Sequence, residues 1–208
     1  MARFVLIHGA WHGGWCWHRL SVELELRGHE VLAPNLPCDC PGLSVHDLAA
    51  LVGPQVDAVV VGHSLAGLTL PFVPALMTVF LAGLVPTPDV YSTFAHPDFG
   101  GTVRDELDRS VWPDEETAAA RLYPDLDRRD ASWAFPRLRP QVRLEPVVTI
   151  PRGPCASIVT LRDRCVRPEW QADMAVEVLG LEPIELDAGH FPMLTHPVEL
   201  VEILESLA

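Results

Sequence analysis

The sequence predicts an α/β fold: a doubly wound, mainly parallel sheet with a small helical cap. Three observations predict it. Short apolar runs alternate with helix-spaced segments toward both ends of the chain, as βαβ units require. The run Val59-Val60-Val61 is hydrophobic without a break, the pattern of a strand buried on both faces. Between residues 87 and 150 the rhythm stops, and an acidic stretch carrying many aromatic residues intervenes.

The elements follow in order. Phe4-Val5-Leu6-Ile7 reads as a first strand that delivers its C-terminal end into His8-Gly9-Ala10. Trp17, Leu20, Ser21 and Leu24 recur at helical spacing until Gly28, and residues 29–34 supply a second strand. Ser44 with Asp47 three residues on resembles a capping box for a short helix, which Gly53-Pro54 ends. A third strand, 57–61, leads to Ser64. The helix after it must be short or bent at Pro71, because 78–82 already reads as a fourth strand.

From 98 to 130 ten acidic groups face five arginines, with Phe99, Trp112, Leu122 and Tyr123 among them. So many large apolar side chains need burial, which disfavours a disordered linker. Thr102 with Asp105, and Asp114 after Pro113, read as helix starts. Alternation resumes with a strand at 156–161, a helix opened by Pro168 and stopped by Gly180, a last strand at 183–186 and a terminal helix from Pro197. The domain expectation is therefore a core of 1–86 and 151–208 with a cap inserted at 87–150.

At 208 residues one core without covalent staples is sufficient. A net charge of −13, with no lysine among fifteen cations, argues against nucleic acid or an anionic membrane as partner. Residues 65–86 lack charge and are long enough to cross a bilayer, but Pro71, Pro74 and Pro86 interrupt them, so a buried helix and strand explain them better. Five cysteines, irregularly spaced and with no signal-peptide pattern before the first strand, read as reduced thiols in a cytoplasmic protein. Cys38-Asp39-Cys40 has no second ligand pair at zinc spacing, so neither metal nor other cofactor is expected.

The chemistry is expected at Gly62-His63-Ser64-Leu65-Ala66-Gly67. A strand running into Gly-x-Ser-x-Gly forms a sharp elbow that lifts the serine hydroxyl clear of the backbone and aims the next amide, that of Leu65, at an oxyanion. A hydroxyl becomes nucleophilic only when a base takes its proton, and an imidazole with a pKa near ~6.5 can do so at neutral pH. His190 follows the last strand and Asp163 the one before it, giving the chain order serine, acid, histidine. Asp187 and Asp89 are the rival acids. His8 and His63 flank glycines and are expected to shape loops by hydrogen bonding.

With those residues in view, the sequence resembles the α/β-hydrolase superfamily, in the branch of plant methylesterases and hydroxynitrile lyases. The resemblance rests on residues 5–15 (Val-Leu-Ile-His-Gly-Ala-Trp-His-Gly-Gly-Trp), on 62–67, on Thr160-Leu161-Arg162-Asp163 through Gln171, and on 188–194. It implies Ser64 as nucleophile, His190 as base, Asp163 as its orienter, and the amides of Ala10 and Leu65 as oxyanion hole. The implied activity is hydrolysis of a small, largely apolar carboxylic ester, or a thioester. The alternative is a hydrolase-fold receptor or binding protein for a small ligand, with little turnover. Trp11, His12, Trp15, Phe191 and Met193 are candidates for the pocket lining. Lyases of the branch carry a threonine where this chain has Gly9 and a lysine where it has Phe191, which disfavours cyanohydrin cleavage. The chain is also shorter than its relatives, with trimmed connections after the second and third strands.

Overall fold

Strand β1 (Arg3–Ile7) sends Phe4 and Leu6 into one hydrophobic core and Val5 and Ile7 into another. Successive side chains therefore leave opposite faces of a sheet that is covered on both sides. The structure, a computed structural model, describes residues 1–208. The further strands are β2 (Glu30–Leu32), β3 (Gln55–His63), β4 (Ala75–Leu81), β5 (Val103–Arg104), β6 (Ser110–Val111), β7 (Cys155–Thr160) and β8 (Ile184–Leu186). Six of them form one sheet in the order β2-β1-β3-β4-β7-β8, with every pairing parallel.

The helices are α1 (His18–Leu26), α2 (Val45–Val52), α3 (Val90–Thr93), α4 (Glu115–Leu122), α5 (Arg128–Ala134), α6 (Pro168–Glu177), α7 (Pro192–Thr195) and α8 (Pro197–Ser206). Leu20 and Leu24 of α1 and Leu200, Val201 and Leu204 of α8 pack with Phe4, Leu6, Val59 and Val61. On the other face Val45, Leu48 and Val52 of α2 and Trp170 of α6 pack with Val5, Ile7 and Val60. Each fully buried valine or leucine contributes about 1.5–3 kcal/mol, so the three-valine run of β3 anchors both cores. Local signals behave as expected. Ser44 and Asp47 make both bonds of the capping box, and Gly28 and Gly180 end their helices at φ of 85° and 68°.

Two expectations need correction. No α-helix follows Ser64; the chain makes 3₁₀ turns over Ser64–Leu68 and Leu70–Phe72. Eleven residues (64–74) must carry it back beside β4, whose seven residues span about 23 Å. Eleven α-helical residues would cover only about 16 Å, whereas the longer rise of 3₁₀ turns and extended links reaches further. The second correction concerns Thr102 and Asp105, which open no helix. Residues 103–111 form the β5–β6 hairpin, because the Asp105 carboxylate accepts from the Leu107 and Arg109 amides and closes the turn itself. Asp114 does cap α4, accepting from the Thr117 amide. The stretch 87–150 thus holds three short helices and a hairpin.

β1 connects outward to β2, and the chain then returns to place β3 on the other side of β1. The strand order reverses between β1 and β3, and in open parallel sheets ligands settle beyond the C-terminal ends at such a reversal. Gly9 and Ala10 follow β1 there, and Ser64 follows β3.

Candidate active site

Ser64 is held in the left-handed region at φ 52°, a conformation costing an ordinary residue about 1–2 kcal/mol. Its neighbours enforce it. A Cβ on Gly62 would meet the Leu70 side chain at 2.7 Å, and one on Gly67 would meet the Leu84 carbonyl at 2.3 Å, so only glycines let the chain turn this tightly. The Leu84 amide donates to the Ser64 carbonyl at 2.9 Å and ties the elbow to the end of β4. Gly9 approaches from the β1 loop, where a Cβ would lie 2.9 Å from Ser64 Cβ.

Asp163, just beyond β7, is buried and accepts five hydrogen bonds. The amides of Cys165 and Val166 reach Oδ1 at 2.7 and 2.9 Å; Thr160 Oγ1 and Gln171 Nε2, both at 2.9 Å, reach Oδ2. The fifth donor is His190 Nδ1, 2.7 Å from Oδ2. Since amide groups on both oxygens can only donate, Asp163 must accept, and the proton lies on His190 Nδ1. His190 Nε2 is left with a free lone pair. The rival acids stand elsewhere: Asp187 pairs with Arg162, and the Asp89 main chain serves α3. His63 Nε2–H donates to the His190 carbonyl at 2.8 Å, and burial holds its pKa well below the usual histidine range.

Ser64 and His190 face one cavity of about 190 Å³ without a hydrogen bond between them. Ala10 and Leu65 line the same cavity, and the Ala10 N–H is taken by no main-chain carbonyl. Most of the wall is apolar. Of the candidate lining residues, Trp11 and Phe191 face it. His12, Trp15 and Met193 do not, which corrects the expectation. His12 is buried with both ring nitrogens engaged, Nδ1 on the Ala10 carbonyl at 2.6 Å and Nε2 with the Tyr123 hydroxyl at 2.5 Å, and burial lowers its pKa to about 3. Trp15 stacks on that ring, and Met193 is wholly buried in the core.

Sequence reading missed the wall that residues 84–143 contribute, including Leu84, Tyr91, Phe94, Gln141, Val142 and Arg143. It also missed the grip on the β1 loop. Trp11 has φ 62°, and three bonds hold it there: its amide on Gln141 Oε1 at 3.2 Å, its carbonyl under the Arg139 amide at 2.8 Å, and its indole N–H on the Ser110 carbonyl at 3.1 Å. None of these partners carries a motif. The Gln171 side chain that supports Asp163 sits within the stretch noted for its resemblance, so that signal was present.

Asp163, Cys165 and His190 offer metal-ligand atoms within 4.8 Å of one another, but Asp163 has its lone pairs occupied by donors. All five cysteines are free thiols. No helix is long and apolar enough to cross a membrane.

Comparison with known proteins adds relatives. A profile described as the alpha/beta hydrolase family matches residues 4–203. Methylesterase 7 of Arabidopsis thaliana is 25% identical over 253 aligned positions, which cover 99% of this chain and 96% of that protein. The carbendazim hydrolyzing esterase of Nocardioides sp. (strain SG-4G) is 27% identical over 247 positions, covering all of both. Both alignments are longer than this chain's 208 residues, so the relatives carry internal segments that it lacks. Among solved structures, a pyrethroid hydrolase from Sphingobium faniae JZ-2 superposes with a TM-score of 0.78 at 21% identity, over 99% of this chain and 96% of that one. Polyneuridine aldehyde esterase does so at 0.76 and 20%, over 99% and 98%.

Proposed function

Because the chain belongs to the alpha/beta hydrolase family, we propose that it is a serine hydrolase cleaving a small, largely apolar carboxylic ester through an acyl-enzyme on Ser64. The observation that carries this reading is the left-handed Ser64 facing the same cavity as His190, whose far nitrogen is anchored on Asp163. Relatives named as esterases over the full chain support ester hydrolysis in general. The apolar wall and modest cavity volume favour a small hydrophobic ester.

In this reading Ser64 Oγ attacks the ester carbonyl while His190 Nε2 takes its proton. The negative charge that develops on the carbonyl oxygen is met by the amides of Ala10 and Leu65, each worth about 3 kcal/mol to the transition state. Asp163 stabilises the imidazolium and holds its tautomer. Collapse expels the alcohol, which receives the proton from His190, and a water activated by the same nitrogen releases the acid and restores Ser64. The sequence needs neither metal nor cofactor. Hydrogen bonds between nucleophile and base are often long before substrate arrives, and Ser64 and His190 would close theirs on binding. Residues 87–150 act as the cap that selects substrate.

The test is turnover of an aryl acetate and labelling by a serine-directed phosphonate. Turnover equal to a Ser64→Ala control, with no adduct on Ser64, would end this reading. The absent Ser64–His190 hydrogen bond favours a second one, a small-ligand receptor with little turnover. Slow single-turnover labelling with a tightly retained ligand would select it.

A further inference from the structure

The peptide joining Gly9 to Ala10 is planar and trans, so its carbonyl and its N–H point in opposite directions. His8 Nδ1 lies 2.9 Å from the Gly9 carbonyl oxygen. Nε2 of the same ring accepts from the Leu36 amide at 3.0 Å, which leaves the proton on Nδ1 as a donor. The ring is therefore fixed at both ends, and it grips one end of the peptide whose other end is the N–H of Ala10, a residue that lines the cavity and whose N–H is taken by no main-chain carbonyl.

We infer that His8 is a positioning residue for the reaction, aiming and polarising the Ala10 amide by holding the carbonyl at the far end of the same peptide. This rests on the reading of Ala10 as an oxyanion donor. The physical ground is twofold. A planar group held at its oxygen cannot rotate its N–H away from the cavity, and a donor on the carbonyl draws electron density from the nitrogen, making the N–H a stronger donor. His12 does the same to the next peptide, its Nδ1 on the Ala10 carbonyl at 2.6 Å. Two neutral imidazoles thus hold two successive carbonyls of the loop.

His8 is suited to this task because burial, reinforced by the nearby Arg139 guanidinium, lowers its pKa to about 4. It remains neutral, with one donor and one acceptor, throughout the physiological range. Gly9 permits the arrangement sterically, since any side chain there would strike Ser64.

The test uses three full-length variants. His8→Asn keeps an N–H donor near the δ position, His8→Gln places its amide further out toward Leu36, and His8→Leu has neither group. For each, kcat, KM and the affinity of a trifluoromethyl ketone, which forms the tetrahedral adduct, are measured. The expected result is a 10- to 100-fold loss of kcat in His8→Leu and His8→Gln with KM within threefold, a matching loss of ketone affinity, and recovery to within fivefold of the parent in His8→Asn. If His8→Leu does not fold, His8→Gln carries the comparison, because it retains an acceptor for Leu36. Parent-like kcat and ketone affinity in a folded His8→Gln would overturn the inference, as would a loss of kcat with ketone affinity unchanged. Should Ser64→Ala keep full turnover, the reading of the whole site would fall instead.

Discussion

Acidification should destabilise this protein well before its carboxylates are neutralised, and the structure gives the size of the effect. Burial depresses the pKa of His8 to about 4 and of His12 to about 3, against 6.5 for a free histidine. Between those values and 6.5 the unfolded chain binds more protons than the folded one. Stability is therefore fully present above pH 6.5 and is lost as the pH falls toward 4 and 3. From pH 7.5 to pH 5 each ring removes about 2 kcal/mol, or about 4 kcal/mol together, a large share of the 5–15 kcal/mol typical of a domain. His63, buried and lowered for the same reason, adds to the loss. Carboxylates whose pKa is lowered, such as Asp105 and Asp114, titrate below this window. Urea unfolding followed by tryptophan fluorescence at pH 7.5, 6 and 5 measures the change. A His12→Phe variant should show a clearly shallower pH dependence, whatever its stability at pH 7.5. Unfolding free energies constant within about 1 kcal/mol across that range would refute the reasoning.

Other outcomes follow from the same geometry. Asp163→Asn, which removes an acceptor that fixes His190, should fold normally by circular dichroism yet lose about 10³- to 10⁴-fold in kcat. Gly9→Ala places a Cβ 2.9 Å from that of Ser64, so it should destabilise by about 1–3 kcal/mol and lower ester turnover at least about tenfold. Ser64→Gly relieves the left-handed strain at the elbow; it should abolish turnover while raising stability by about 1 kcal/mol in urea titration. Phe94→Ala should enlarge the cavity and shift preference toward longer acyl chains in a series of p-nitrophenyl esters, with an unchanged preference arguing that the ring does not bound the acyl site.

Much of this molecule is written locally. The Val59–Val61 run, the glycines at 62 and 67, the capping box at Ser44 and Asp47, and the stops at Gly28 and Gly180 act within a few residues of themselves. Their physics is steric or involves hydrogen bonds to near neighbours, so spacing alone reveals them. The same holds for His8, whose place beside Gly9 already marked it as a loop-shaping residue.

The stretch after Ser64 shows where local reasoning stops. Helical propensity there loses to the distance the chain must travel to begin β4, a quantity set by sheet geometry. The cavity wall shows it again. Tyr91, Gln141 and Arg143 line the site and Arg139 grips the β1 loop, yet none bears a motif, because their roles depend on how residues 87–150 lie across the sheet. His12 and Trp15 lie in the loop next to the site, but His12 is engaged by Tyr123 and Phe191 and Trp15 packs against Trp133, partners more than a hundred residues away. Strand runs, helix caps and helix stops answer to neighbours along the chain and were readable from it. Which side chains reach the cavity depends on contacts between distant segments, whose free energy is settled only when both cores close together.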